Sequence, residues 1–243
     1  MIQLDTKSRF SSNGVYTTTR RQLHEDIARH FLSGAQSQGM IAIILGGGSG
    51  AGSGAGKTSV VTDIIGTKGF VVVDSDAIKE HIPEYNKFMQ QHISTASDLV
   101  HEESTDIAKN LLHTAIQSRL SLIYDGTFAN HNKYKRLISQ LKQKQYTIQL
   151  IIIDVDISVA KRRVKARFAE NQRYVPEEVV QETNSAVAKN FIALKDSVDE
   201  YLILDNSLNG ISPTIIARKD KGCPPIVLND YAYHFFLKKG RQF

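Results

Sequence analysis

IAIILGGGSGAGSGAGKTS, residues 41–59, runs from an unbroken apolar stretch into a glycine-rich loop that closes on Gly-Lys-Thr. Five apolar residues in succession, Ile41 to Leu45, read as a strand covered on both faces. The segment Ala51 to Thr58, AGSGAGKT, fits the relaxed phosphate-loop pattern of Gly or Ala, four residues, then Gly-Lys-Thr. Backbone N–H groups can curl around phosphate oxygens only where glycines permit positive φ and close approach. A helix that starts at the lysine turns its positive end toward the same anion. Gly52, Ser53, Gly54, Ala55, Gly56, Lys57, Thr58 and Ser59 are therefore the expected cradle for the phosphates of ATP. Lys57 is expected to reach the β- and γ-phosphates, and the Thr58 hydroxyl to ligate Mg2+. Ser49-Gly50-Ala51-Gly52 is repeated by Ser53-Gly54-Ala55-Gly56, so the loop is longer than usual, as if one four-residue unit were doubled.

Outward from this loop, strands and helices alternate. Phe70 to Val73 reads as a second buried strand ending at Asp74-Ser75-Asp76, and Leu122 to Tyr124 as a third ending at Asp125-Gly126-Thr127. Residues 147–154 and 201–204 give two more. Helical patterns fill 17–35, 57 onward, 96–119, 131–144 and 158 onward. Such alternation predicts an α/β protein with a mostly parallel sheet and helices on both faces, here a P-loop kinase fold. Residues 1–16 are polar and aperiodic and read as a loose arm. Residues 17–243 read as one domain, with an N-terminal helix and with the tail from 211 added at an edge.

In open α/β sheets ligands sit at the carboxyl ends of the strands. Phosphoryl transfer asks of a protein a positioned hydroxyl, a base and positive charge. Asp76 is the expected general base, with Asp74 as the alternative and helix capping as the structural use of either. Asp125 is expected to hold substrate hydroxyls, with a plain Asp-Gly turn as its other reading. After the fourth strand, Arg167 and Arg173 resemble the arginines of a kinase lid, whereas Lys161, Arg162 and Lys165 read as a solvated face. His101-Glu102-Glu103 is not H-E-x-x-H, because Thr105 holds the fifth position, so zinc is not expected. Glu103 is the member of that cluster expected to reach substrate, with a merely structural role for the cluster as the other reading.

The bulk properties narrow the partners. Hydrophobic residues make up 41% and charged residues 23% of 243, with a net charge of +5. The excess suits a nucleotide-phosphate site; nucleic acid is not expected, since basic residues are not interleaved with aromatics as in a strand-binding groove. Cys223 is the single cysteine, which excludes an intrachain disulfide and fits a reducing, cytoplasmic setting. No stretch has a secretory apolar core or a membrane-length apolar run.

The ordered set GAGKTS (54–59), VDSDAIKEHIPEY (73–85), VHEESTDIAKNLL (100–112), IYDGT (123–127) and RFAENQRYVPEEVV (167–180) resembles the zeta toxin family of P-loop kinases. The stretch GVYTTTRRQLHEDI also resembles the N-terminal helix of many members, so the likeness covers roughly residues 14–206. It implies a kinase that phosphorylates the 3′-hydroxyl of the amino sugar in UDP-N-acetylglucosamine; some related effectors phosphorylate NAD instead. It implies Lys57 and Thr58 on the phosphates and Mg2+, Asp76 as base, and Arg167 and Arg173 as lid arginines. Asp125 and Thr127 fall on the substrate-binding E-G-T position, and a protein antitoxin becomes a candidate partner. Two positions depart from the pattern, both on the substrate side: Ala129 replaces an arginine of some members, and Lys109 falls near a substrate-binding glutamate.

Overall fold

The computed structural model describes residues 4–36, 38–48, 65–171 and 175–241. The segment that opens it is not loose. Helix α1 (Thr6–Phe10) and a two-stranded ribbon, β1 (Ser11–Ser12) with β2 (Val15–Tyr16), lead into α2 (Thr18–Leu32). Asp5 caps α1 at Ser8 and Thr17 caps α2 at Arg20. Five-residue and two-residue elements are too short to generate a periodic signal, which is why the arm reads as featureless.

A seven-stranded sheet follows, ordered β4 (Val71–Val73), β5 (Leu122–Tyr124), β3 (Ile41–Gly46), β6 (Thr147–Asp154), β7 (Glu200–Asp205), β8 (Thr214–Lys219), β9 (Ile226–Val227). The first five strands in that order run parallel; β8 and β9 add on antiparallel. The α/β class with a mostly parallel sheet is thus the observed one. Between β4 and β5 lie α3 (Ser75–Lys79), α4 (Pro83–Gln90), α5 (Ala96–Leu99) and α6 (His101–Gln117). Helix α7 (His131–Gln143) joins β5 to β6, α8 (Ile157–Asn171) and α9 (Glu177–Leu194) join β6 to β7, and α10 (Asp230–Lys239) follows β9. The expected helix over 96–119 is two helices, broken at Val100. Helix α9 had no counterpart in the sequence reading.

Alternation along β3 divides the core. Ala42 and Ile44 face a large cluster with Leu111, Leu141, Phe191 and Phe236. Ile43 and Leu45 face a smaller one with Ile151, Ile153, Ala160 and Val164. Each such aliphatic side chain contributes about 1.5–3 kcal/mol when fully buried, so β3 is fixed from both sides. That rigidity carries through to Gly46, where the phosphate loop begins. Among the described residues no helix is long and apolar enough to cross a membrane.

Candidate active site

Lys57, Thr58 and the rest of the cradle, together with Arg173, lie outside the described residues; Arg167 falls in the last turns of α8. The ground the loop stands on is described. A Cβ on Gly46 would come within 2.6 Å of Phe128 Cβ and 2.7 Å of Ile152 Cδ1, and one on Gly48 would strike the Asn184 side chain. Both glycines are required by close approach. Asn184 is itself buried and donates from Nδ2 to the Val180 carbonyl at 2.7 Å.

The strands β4 and β5, with Val73 opposite Tyr124, deliver their next residues, Asp74 and Asp125, to the same edge. The Asp125 N–H donates to the Val73 carbonyl at 3.0 Å. Asp74 is the helix cap: its side chain accepts from the Asp76 N–H at 2.8 Å and starts α3. Burial first, and then the nearby Asp125 charge, push the Asp74 carboxyl above its ordinary value. Asp76 sits in the first turn of α3, its side chain 68% exposed and 2.7 Å from the Lys79 ammonium. The two aspartates that the sequence left open are thus separated by geometry: the first is committed to the backbone, the second is turned toward solvent beside a cation.

The segment after β5 is held by contacts to four places. Besides the Asp125 bond, Thr127 accepts from the Gly47 N–H at 3.1 Å. The Phe128 N–H donates to the Tyr134 hydroxyl at 2.9 Å, and the Phe128 carbonyl accepts from Asn190 at 2.9 Å. Phe128 is fully buried at φ 62°, a left-handed conformation that side chains other than glycine adopt at a cost of about 1–3 kcal/mol. The shelf of Asp125, Gly126 and Thr127 is thereby tied directly to the root of the phosphate loop. Replacing Tyr134 by Phe orphans the buried Phe128 N–H. It should lower stability by about 1–3 kcal/mol, read by urea unfolding.

Glu103 is elsewhere. It is fully buried, with Oε1 accepting from Arg20 Nε at 2.5 Å and paired with His24 Nε2 at 2.6 Å, and with Oε2 accepting from Arg20 Nη2 at 2.8 Å. Arg20 also holds Glu84 through two bonds of 3.0 and 2.7 Å, and the Phe10 ring lies 4.1 Å from its guanidinium carbon. Burial alone would raise the Glu103 carboxyl, but the hydrogen bonds from Arg20, His24 and Thr6 outweigh it and hold it at about 2. Both oxygens serve the packing of α2 against α6, so the expected substrate contact by Glu103 is replaced by a structural one. The partners lie 79 and 83 residues away in sequence, and no local pattern could announce them.

Two further groups escaped the sequence reading. Asp154, at the end of β6, is buried, and both its oxygens accept from Lys239 Nζ at 2.8 Å. Burial pushes its carboxyl up against the pull of that ammonium. Lys79 is the other, nearly fully buried yet bonded to the exposed Asp76. Its signal was available, an Asp-x-x-Lys spacing that places both on one helix face. Of the two substrate-side departures, Lys109 pairs with Asp106 at 3.1 Å. The Ala129 N–H donates to Thr127 Oγ1 at 3.3 Å. Arg163, four residues before Arg167 on α8, donates to Asn209 Oδ1 at 3.0 and 2.7 Å.

The family model described as zeta toxin matches residues 30–209. Toxin PezT of Streptococcus pneumoniae serotype 4 is 29% identical over 113 residues, covering 46% of this chain and 44% of PezT. The chain's match thus spans less than half the length of that relative. Among solved structures, the crystal structure of AvrRxo1-ORF1:-ORF2 with ATP superposes with a TM-score of 0.73 at 18% identity, over 99% of this chain and 83% of that one. The PezAT toxin-antitoxin system of Streptococcus pneumoniae superposes at 0.62 and 21% identity, over 79% of each chain. These structural likenesses carry the fold, and the family pattern runs from the end of α2 to the turn beyond β7: the chain belongs to the zeta toxin family.

Proposed function

We propose that this protein is an ATP-dependent kinase that phosphorylates a hydroxyl of a nucleotide sugar, with the 3′-hydroxyl of UDP-N-acetylglucosamine as the first candidate. The observation that carries the reading is the edge on which Asp74, Asp76 and Asp125 gather beside the glycine root of the phosphate loop. Family membership supports it, and the ATP complex of a protein of the same fold supports ATP as donor. In this reading Gly52 to Ser59 wrap the phosphates, Lys57 neutralises charge on the transferring group, and Thr58 holds Mg2+. Among the described residues no group of three or more His, Cys, Asp or Glu could hold a metal. A magnesium ion bound with ATP would be held largely by phosphates and water, with few protein ligands. Bound magnesium would add positive charge at the transferring phosphoryl group.

The acceptor hydroxyl rests on the shelf of Asp125 and Thr127, and Asp76 takes its proton as the oxygen attacks the γ-phosphorus. The bond to the leaving oxygen breaks, and ADP keeps that electron pair. In this reading Arg167 and Arg173 supply positive charge to the transferring group, in a site from which water, a competing acceptor, is excluded. A protein antitoxin is proposed as partner, by likeness to the PezAT toxin-antitoxin system. Ala129 and Lys109 stand where some relatives bear substrate contacts, and a lost polar contact redirects specificity; the alternative readings are a kinase acting on NAD or a nucleic-acid end, and a nucleotide-binding module without catalysis.

Mass spectrometry of the protein incubated with ATP, Mg2+ and UDP-N-acetylglucosamine should show one added phosphate on the sugar nucleotide. If that compound stays unchanged while NAD or a polynucleotide end gains the phosphate, the acceptor assignment falls and the kinase assignment stands. Lys57→Ala should cut turnover about 10²–10³-fold, the usual loss when one donor to developing transition-state charge is removed. The far-ultraviolet circular dichroism should be unchanged, and wild-type turnover in that folded variant would remove the phosphate-loop assignment.

A further inference from the structure

Lys79 is spent in a way that packing alone does not explain. Its side chain is 3% exposed, yet it ends in an ammonium. Burying a charge costs several kcal/mol unless it is paired and hydrogen-bonded. A helical Asp-x-x-Lys pair on an exposed face contributes only about 0.2–0.5 kcal/mol. Helix stability is thus too small a gain to account for a sequestered lysine. The ammonium has anchors on two different elements: Asp76 Oδ1 at 2.7 Å on α3 and Ser97 Oγ at 2.8 Å on α5. Ser97 fixes the ammonium from within the fold, and the ammonium fixes an oxygen of a carboxylate that is itself two-thirds exposed.

We propose that Lys79 is a positioning residue that orients the Asp76 carboxylate and keeps it ionised as the proton acceptor. This rests on the kinase reading above, in which Asp76 is the base. Asp76 needs such help. Asp74 stands two residues away and Asp125 on the neighbouring strand end; burial first, and then the charges of Asp125 and Asp76, raise the Asp74 carboxyl. Asp74 and Asp125 follow the ends of the neighbouring strands β4 and β5, and Lys79 is a cation hydrogen-bonded to Asp76 beside them. A base flanked by like charges tends to take up a proton from solvent and lose its function. One buried cation on its inner side opposes that tendency and stops the side chain from swinging.

A double-mutant cycle separates this role from a structural one. The assay is ADP formation with ATP, Mg2+ and UDP-N-acetylglucosamine, using Lys79→Met, Lys79→Arg, Asp76→Asn and the Lys79→Met/Asp76→Asn pair. Lys79→Met should lower kcat about tenfold or more while leaving KM for ATP within about twofold, and Lys79→Arg should restore part of the loss. In the Asp76→Asn background, Lys79→Met should have no further effect, since residues acting as one unit are not additive. Losses that multiply would overturn the proposal, because they would mean that Lys79 acts through the fold.

The second readout needs no turnover. The Asp76 carboxyl carbon, followed by NMR titration, should show a midpoint about one unit higher in Lys79→Met than in wild type, as expected when an adjacent cation is removed from a partly solvated acid. An unchanged midpoint overturns the proposal. If the sugar nucleotide is never phosphorylated and the midpoint still moves, the acceptor assignment fails and the Lys79–Asp76 coupling stands.

Discussion

Arg20→Ala should destabilise the protein by about 3–5 kcal/mol, the usual consequence of removing one partner from a buried ion cluster. The cause is specific. One guanidinium makes four hydrogen bonds to two carboxylates, Glu84 and Glu103, that belong to different helices. Without it, the fully buried Glu103 loses two of its hydrogen bonds and keeps His24, and the largely buried Glu84 loses both bonds to the guanidinium. Arg20→Lys should recover only part of the loss, because an ammonium cannot span both carboxylates in a planar fork. Guanidinium chloride unfolding measures both.

The same cluster sets a pH dependence. Glu103 is held at about 2 in place of its ordinary 4.5. A depressed carboxyl contributes stability that is fully present above the unfolded value and is lost as pH falls through the folded one. Stability should therefore decline from about pH 5 toward pH 2. That slope should flatten in Glu103→Gln. An equal slope in both proteins would show that other acids govern acid unfolding.

The larger effect on chemistry belongs to Asp76. Asp76→Asn should lower turnover about 10²–10⁴-fold, the range for removal of a general base. ATP affinity should stay near wild type, since Asn keeps the shape and only the proton acceptor is lost. Asp74→Asn should behave differently: it touches a helix cap, and Asn is itself a good cap, so its cost in stability should be a few tenths of a kcal/mol. Steady-state kinetics and nucleotide titration of the two variants decide the matter. A severe Asp74→Asn with a mild Asp76→Asn would reverse the roles of the two aspartates.

Much of the frame could be read from the chain because its strands are continuous apolar runs. Ile41 to Leu45 and residues 147–154 could be little else, and their carboxyl ends marked the edge where the aspartates gather. What escaped has physical reasons. Helix α9 carries Asn184, Ser185 and Asn190 on its buried side, so its stripe is broken by polar residues, of which Asn184 lies against Gly48 and Asn190 holds the Phe128 carbonyl. The helices α3 and α5, of five and four residues, are shorter than two turns and give no period. Glu103 looked like a substrate ligand because acid at the start of a helix near the motif fits that use equally well. Its real partners, Arg20 and His24, come from a helix whose apolar stripe was legible and whose polar inner contacts were not. Lysine is usually a solvent residue, so nothing in the sequence marks Lys79 and Lys239 as buried, and both are.

If Asp125 and Thr127 hold the acceptor as proposed, the shelf at 125–128 also governs how acceptors are told apart. Its backbone is bonded to β4, to the root of the phosphate loop, to α7 and to α9. A segment so over-determined has no low-energy second shape to offer. Amide exchange at Asp125 and Phe128 should accordingly be as slow as in the central strands. An acceptor that lacks a hydroxyl in the right place will find a gap that the protein does not move to close. Discrimination would then come from the rigidity of an empty mould, with wrong substrates excluded by the contacts they leave unmade.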